Sequence, residues 1–266
     1  MSQETTVNAT VNATVDAPVK VAVLGAHGRM GAEAVRAVDG ARDLQLVSTI
    51  GHGDSLRQLL VSGAEVAIDL TVPASTEENV RFCVENGIHC VVGTTGWDEQ
   101  RLSRLSELLR EHPEVGVLIA PNFSIGAVLA MRFSALAARF FESTEIVELH
   151  HPDKVDAPSG TAARTAAMVG EARRAAGLQD SPDATQTDPD GARGAKVDGV
   201  SVHSVRLRGL VAHQETLLGN VGEMLTIRHD SFDRVSFMSG VLLGVRTVSS
   251  RPGLTHGLEH FMDLDA

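Results

Sequence analysis

From residue 19 to residue 122 the chain keeps returning to one unit, a short apolar run closed by a turn. The runs lie at 19–25 (VKVAVLG), 44–50, 65–71, 89–95 and 116–122, with helical periodicity at 28–38, 75–86 and 98–111. Apolar runs without alternation mark strands buried on both faces. Strands that alternate with helices build a doubly wound parallel sheet, the Rossmann arrangement. This rhythm constrains the fold more than any other feature of the sequence.

Beyond residue 122 the rhythm changes. An Ala-rich helix over 125–141 leads to a strand at 145–150, a polar loop and a helix over 161–176. The Gly-, Pro- and Asp-rich stretch 178–196 reads as exposed loop. Strands at 201–208, 213–218 and 223–230 are spaced like an antiparallel meander. The pattern predicts an α+β second domain with an open mixed or antiparallel sheet. A final helix over 234–248 is too apolar to stand alone and is expected to return to the first domain. The expected organisation is a flexible extension at 1–18, a dinucleotide-binding domain of 19–124 plus 234–266, and a substrate domain of 125–233. The extension carries a short Val-Asn-Ala-Thr repeat and lacks the basic start and apolar middle of a secretory signal.

The formal net charge of −11 opposes an electrostatic grip on nucleic acid or an anionic membrane. Aromatic residues make up 3%, too few for base-stacking platforms. No segment reaches the roughly 20 apolar residues of a membrane span. Cys83 and Cys90 lack metal or redox spacing and read as reduced, buried residues of a cytoplasmic protein.

The first run ends in Gly25, Ala26, His27, Gly28, Arg29, Met30 and Gly31, at the start of a helix. Glycines there allow a tight turn and let a pyrophosphate approach the helix N-terminus, where free N–H groups and the dipole favour anions. The G-x-x-G-x-x-G spacing is weak alone; strand, turn and helix in that order strengthen it. A ribose-binding acid is expected about 20 residues on, at the tip of the second strand. That tip reads Ile50-Gly51-His52-Gly53-Asp54, with Asp54 placed late enough to cap the next helix. Without an acid at the tip a 2′-phosphate meets no repulsion, and His52 and Arg29 are available to it. NADPH is therefore expected to be accepted, with NADH left open. Gly93, Thr94 and Thr95 after the fourth run, and Ala120, Pro121, Asn122 and Phe123 after the fifth, fall at the same sheet edge and suit the nicotinamide end.

The chemistry concentrates in Glu145-Ile-Val-Glu148-Leu-His150-His151-Pro-Asp153-Lys154-Val-Asp156-Ala-Pro158-Ser159-Gly160-Thr161-Ala162. Histidine exchanges a proton near neutral pH, Lys154 supplies a point charge for a carboxylate, and a Ser-Gly-Thr helix start offers N–H groups to an anion. Taken singly, each histidine is an ordinary strand-end residue and Ser159 an N-cap. Together they point to a carboxylate-bearing substrate beside a proton donor. A zinc site lacks any supporting Cys pair or helical His spacing, so no metal is expected.

This run closely resembles the signature of the 4-hydroxy-tetrahydrodipicolinate reductases (dihydrodipicolinate reductases) of the diaminopimelate–lysine pathway. The resemblance extends from Val19 onward through G-A-H-G-R-M-G, V-V-G-T-T-G, A-P-N-F-S-I-G and V-R-L-R-G-L-V-A-H-Q-E. It implies that Gly25 to Met30, Gly93 to Thr95 and Ala120 to Phe123 hold NADPH or NADH, with Arg234 reaching the cofactor from the returning segment. It further implies His150 as proton donor or acceptor, Lys154 as a second acid, and His151, Ser159, Gly160 and Thr161 as ligands of a small dicarboxylate. A homotetramer built through the second sheet is implied as well. Two other readings are an aspartate- or homoserine-type dehydrogenase and a redox-sensing dinucleotide-binding regulator. The regulator has no use for His150 and Lys154, and the acidic chain offers no DNA-binding helix.

Overall fold

A computed structural model describes residues 17–264, so all but Ala17 and Pro18 of the expected extension lie outside it. In chain order the first elements are β1 (Val19–Leu24), α1 (Arg29–Asp39), β2 (Leu44–Ile50), α2 (Arg57–Ser62), β3 (Val66–Asp69), α3 (Thr76–Glu85) and β4 (His89–Val92). There follow α4 (Glu99–Glu111), β5 (Gly116–Ile119), α5 (Ile125–Ala138), β6 (Ser143–His150) and α6 (Gly160–Ala175). The remainder comprises β7 (Ala195–Val197), β8 (Val200–Arg206), β9 (Ala212–Asn220), β10 (Glu223–Ser231), α7 (Met238–Thr247) and β11 (Gly253–His256).

The first sheet has the order β11-β5-β4-β3-β1-β2, with every pair parallel. Its strands alternate sides, as the pleat requires. Val21, Val23, Ile68, Val91 and Leu118 face one layer of helices, where Ala34 and Val38 of α1 and Val241 and Val245 of α7 meet them. Ala22, Leu24, Ala67, Cys90 and Ile119 face the other, against Val80 and Val84 of α3 and Leu105 and Leu109 of α4. Each helix presents buried residues three or four apart, one stripe of a 3.6-residue period. Met238, Val241 and Val245 are almost fully buried. At about 1.5–3 kcal/mol for each such side chain, they hold the C-terminal segment firmly on this sheet. Among the described residues no helix is long and apolar enough to cross a membrane.

The second sheet has the order β10-β9-β6-β8-β7. One face packs on α5 and α6 through Ala138, Ile146, Ala162, Ala166 and Val202. Here the sequence expectation needs correction. β9 and β10 form an antiparallel hairpin, but β8 does not join it as a third meander strand. It pairs in parallel with β6, and β6 lies between β8 and β9. The reason is α6, which crosses over from β6 and returns the chain in the same direction; a parallel pair needs such a connection. The stretch expected to be loop ends in the short edge strand β7. The expected last helix opens with a 3₁₀ turn, Arg234–Phe237, before α7 begins. Two short elements, α2 and β11, were not anticipated. Asp54 caps nothing: α2 has Leu56 at its N-cap and receives no side-chain bond there.

Candidate active site

In a doubly wound sheet, ligands sit beyond the carboxyl ends of the strands where the strand order reverses. That point falls beside β1, whose neighbours β2 and β3 lie on opposite sides. The turn after β1 needs glycine at Gly25, which has φ +77° and whose added Cβ would stand 2.5 Å from the Leu70 carbonyl oxygen. The Gly25 and Ala26 amides bond back to Ile50 O, at 2.8 and 3.2 Å. α1 starts at N-cap Gly28 with no side-chain cap, so its first-turn N–H groups are offered outward. A cavity lined by Gly25, His27, Gly28, Gly51, His52 and Asp54 lies over this turn. Asp54 belongs to that lining because its Oδ2 accepts from Gly51 N at 2.8 Å, folding the carboxylate back to the β2 tip.

Along the same edge, a Cβ on Gly93 would come within 2.7 Å of Leu70 and 2.8 Å of Phe123. Only glycine leaves room for Leu70 and Phe123 at this edge, and with Met30 they line the cavity beside it with apolar side chains, a lining that fits a flat ring. Asp69, at the tip of β3 and 2% exposed, laces the edge together. It accepts from Thr71 N at 2.9 Å, Thr71 Oγ1 at 2.6 Å, Asn79 Nδ2 at 3.0 Å and Thr94 Oγ1 at 2.8 Å. Thr94 is thereby turned inward, Ala26 is buried beneath its turn, and Arg29 is exposed. These three line none of the cavities described here. Met30, Gly93, Ala120, Pro121, Asn122 and Phe123 do, in a cavity of about 370 Å³, and Thr95 lines its neighbour of about 470 Å³.

The opposite wall of both cavities carries His150, Lys154, Ser159 and Thr161; His151 joins the smaller cavity and Gly160 the larger. Arg234 also reaches the smaller one. Strand β6 ends at His150, and α6 starts at Gly160 after a cis Ala157–Pro158 peptide. Ser159 caps that helix, its Oγ accepting from Ala162 N at 3.2 Å. Lys154 Nζ donates to Asp156 Oδ1 at 2.6 Å. The two walls touch where Asn122 Nδ2 donates to Thr161 Oγ1 at 3.1 Å. Glycine turns and imidazole–ammonium cluster thus share one cleft.

Behind His150 stand two groups to which the sequence reading gave no role. Glu148 is fully buried and receives Arg206 through two bonds, Nη1 to Oε2 at 2.9 Å and Nη2 to Oε1 at 2.8 Å. It also accepts from Ser159 N at 3.2 Å and bonds His150 Nδ1. Burial pushes the Glu148 carboxyl up, but Arg206, Ser204 and His150 together hold it below the usual carboxylate range. Burial likewise holds the His150 imidazole below its ordinary value; Glu148 opposes this, while Lys154 and Arg206 add to it. One signal was present in the sequence: residues two apart on a strand share a face, so Glu148 and His150 had to be neighbours. Arg206 gave none, because its register opposite His150 depends on the parallel β6–β8 pair.

Residues 19–123 match the family described as dihydrodipicolinate reductase, N-terminus, and residues 126–262 the family described as dihydrodipicolinate reductase, C-terminus. A 4-hydroxy-tetrahydrodipicolinate reductase of Streptomyces avermitilis is 64% identical over 247 residues, 93% of this chain and 99% of that one. The protein of the same name from Nocardia farcinica is 60% identical, with 92% and 99% covered. Among solved structures, dipicolinate-bound dihydrodipicolinate reductase from Paenisporosarcina sp. TG-14 superposes with a TM-score of 0.83 at 39% identity, covering 91% of this chain and 99% of that one.

Proposed function

The chain belongs to the dihydrodipicolinate reductase family, and from that premise we propose that the cleft between its two sheets is the active site. It is an oxidoreductase that uses NAD(P)H to reduce (2S,4S)-4-hydroxy-2,3,4,5-tetrahydrodipicolinate to tetrahydrodipicolinate, in lysine biosynthesis through diaminopimelate. The observation that carries the site is the shared cleft: the Gly93 and Ala120–Phe123 edge on one side, His150, Lys154 and the α6 start on the other.

NAD(P)H, when bound, supplies a hydride. Gly25 to Met30 hold its pyrophosphate at the α1 N-terminus, and Gly93 to Thr95 with Ala120 to Phe123 flank the nicotinamide. Arg234 reaches in from the segment after β10. Asp54, folded to the β2 tip, is placed for the adenosine ribose. Its carboxylate favours free ribose hydroxyls and His52 favours a phosphate, so both coenzymes are accepted.

Lys154, His151 and the N–H groups opening α6 at Gly160 and Thr161 hold the two substrate carboxylates. Ser159 shapes that helix start as its cap. Once the ring's 4-hydroxyl has left as water and the conjugated carbon has accepted the hydride, His150 protonates the ring carbon next to the one reduced. A dianion arriving beside an imidazole held neutral by burial raises its proton affinity, so substrate binding itself arms the donor. Residues 19–124 and 234–266 form the cofactor-binding unit, and 125–233 the substrate-binding unit.

The test couples dihydrodipicolinate synthase, which makes the unstable substrate, to loss of reduced-nicotinamide absorbance. His150→Gln is expected to lower turnover ~10²–10⁴-fold, the range for a general acid, with cofactor affinity kept. Unchanged turnover removes His150 from the chemistry. The edge strand β10 is exposed for much of its length and carries Met224 (70% exposed) and Leu225, next to Val221 (96%). Apolar exposure of this kind marks an association surface, and this sheet builds the homotetramer. Sedimentation velocity should give the tetramer; a monomer at assay concentrations would withdraw that assembly.

A further inference from the structure

We infer that Glu148, with Arg206 as its counter-charge, is the positioning residue that fixes the orientation and tautomer of His150 and ties it to the start of α6. The inference rests on His150 being the proton donor proposed above. A buried carboxylate is costly unless its lone pairs are all served. Glu148 is bonded twice by Arg206, once by Ser159 N and once by His150 Nδ1, with the Ser204 hydroxyl also beside it. Arg206 alone would neutralise it. Of the other donors, two belong to the proton donor and to the cap of the helix that faces the substrate carboxylates. One side chain therefore sets the spacing between the group that delivers the proton and the groups that hold the recipient.

The chemistry of the ring follows. With Nδ1–H donating to Glu148, Nε2 is the nitrogen left for the cleft, and a neutral ring has its lone pair there. A proton taken from solvent when substrate binds resides on Nε2. Its transfer to the substrate carbon forms the C–H bond, breaks N–H and returns the ring to its starting tautomer. Glu148 keeps its own bond to Nδ1 throughout and is never protonated. Loss of that carboxylate lets the ring turn or adopt the other tautomer, which places a hydrogen on Nε2 in the neutral state and frees Nδ1 from its fixed partner.

The charged groups nearest His150 are Glu148 on β6, Arg206 on β8, and Lys154 with Asp156 on the following loop. Arg132 on α5, Arg164 on α6, and His256 and Glu259 near the C-terminus line the larger cavity that His150 shares; His151, His213, His229 and Arg234 line the smaller. Glu148 and Arg206 act on the imidazole with opposite signs. Removing the carboxylate makes His150 harder to protonate, and removing the guanidinium makes it easier. A merely structural role would not separate the two directions.

The experiment uses the full chain with ¹⁵N-labelled histidine. Without ligand, the His150 resonances should report Nδ1–H; an Nε2–H ring in the wild type overturns the proposal even if every variant misfolds. Glu148→Gln should lose kcat ~10–100-fold, the range for supporting partners of a functional histidine, with substrate and cofactor KM within ~3-fold. Glu148→Asp should recover part of that loss. The His150 titration should move down in Glu148→Gln and up in Arg206→Gln. Wild-type tautomer and kcat in a folded Glu148→Gln, or titrations moving the same way, overturn the role of Glu148. Full activity in His150→Gln instead removes the reading beneath it, so the two failures are distinct.

Discussion

Lys154→Ala tests the electrostatics of the cleft. The Lys154 ammonium bonds Asp156 Oδ1 at 2.6 Å, and its side chain is 21% exposed against 49% for Asp156. A pair this open to water is worth about 0–1 kcal/mol, so breaking it costs the fold little. A hydrogen bond to a charged group, as formed with a substrate carboxylate, is worth about 1.5–3 kcal/mol. The difference is about 0.5–3 kcal/mol, which at 1.4 kcal/mol per decade predicts a fall of roughly 2- to 150-fold in kcat/KM. The coupled reductase assay, with substrate and coenzyme varied separately, reads it. Cofactor KM should stay put. Because Lys154 is one of the charges that hold the His150 imidazole down, its removal should also move the His150 limb of the pH profile upward. A rise confined to cofactor KM, or an unchanged pH limb together with unchanged kcat/KM, would refute the placement of Lys154 against the substrate.

Two further perturbations probe the frame around the cleft. Gly25→Ala must adopt φ +77° with its Cβ 2.5 Å from the backbone oxygen of Leu70, which has nowhere to go. A loss of about 2–4 kcal/mol in stability is expected from strain and overlap together, along with weaker coenzyme binding in a fluorescence titration; wild-type values for both would deny the tight turn. His89 is held below its ordinary pKa of 6.5 chiefly by burial, and its Nδ1 accepts from Gly116 N at 2.9 Å. The unfolded imidazole therefore takes up a proton before the folded one. This contribution is complete above pH 6.5 and is lost as pH falls toward the folded value. Urea midpoints between about pH 7.5 and about pH 5.5 should decline less steeply in His89→Gln; an identical slope would assign the acid sensitivity elsewhere.

How much of this could be read from the sequence depended on length and period. Strands β1 and β3 to β5 of the first sheet read as largely apolar runs, β2 as a more mixed one, and their turns mark the carboxyl edge, so the cofactor half was legible as a pattern. α2 has six residues, too few for a helical period to register, and β11 reads Gly-Leu-Thr-His, which is no apolar run. The parallel β6–β8 pair was hidden because spacing between strands says nothing about which strand lies beside which. Arg206 was hidden with it, since its partner is set by that register. Glu148 was hidden differently: the sequence showed it two residues before His150, but an acid on a strand reads as a solvated face until its burial is known. Thr94 was legible as part of the turn, but the bond from its hydroxyl to Asp69 was not.

The charge distribution explains how a chain with a net charge of −11 can bind a dianion beside an anionic coenzyme. Charges separated by more than about 8 Å are largely screened at physiological ionic strength, so the surface acids have little say inside the cleft. Three acids that lie close are occupied: Glu148 by Arg206 and His150, Asp156 by Lys154, Asp69 by hydroxyls and an amide. To an anion the cleft offers the helix starts at Gly28 and Ser159, the Lys154 ammonium, the Arg164 and Arg234 guanidiniums that line its cavities, and the His150 imidazole. The acidic exterior and the anion-binding interior are therefore compatible. Acids near the site serve as internal partners that hold its cations and the His150 imidazole in place, which is why neutralising one of them should disturb the geometry of the cleft more than its net attraction for substrate.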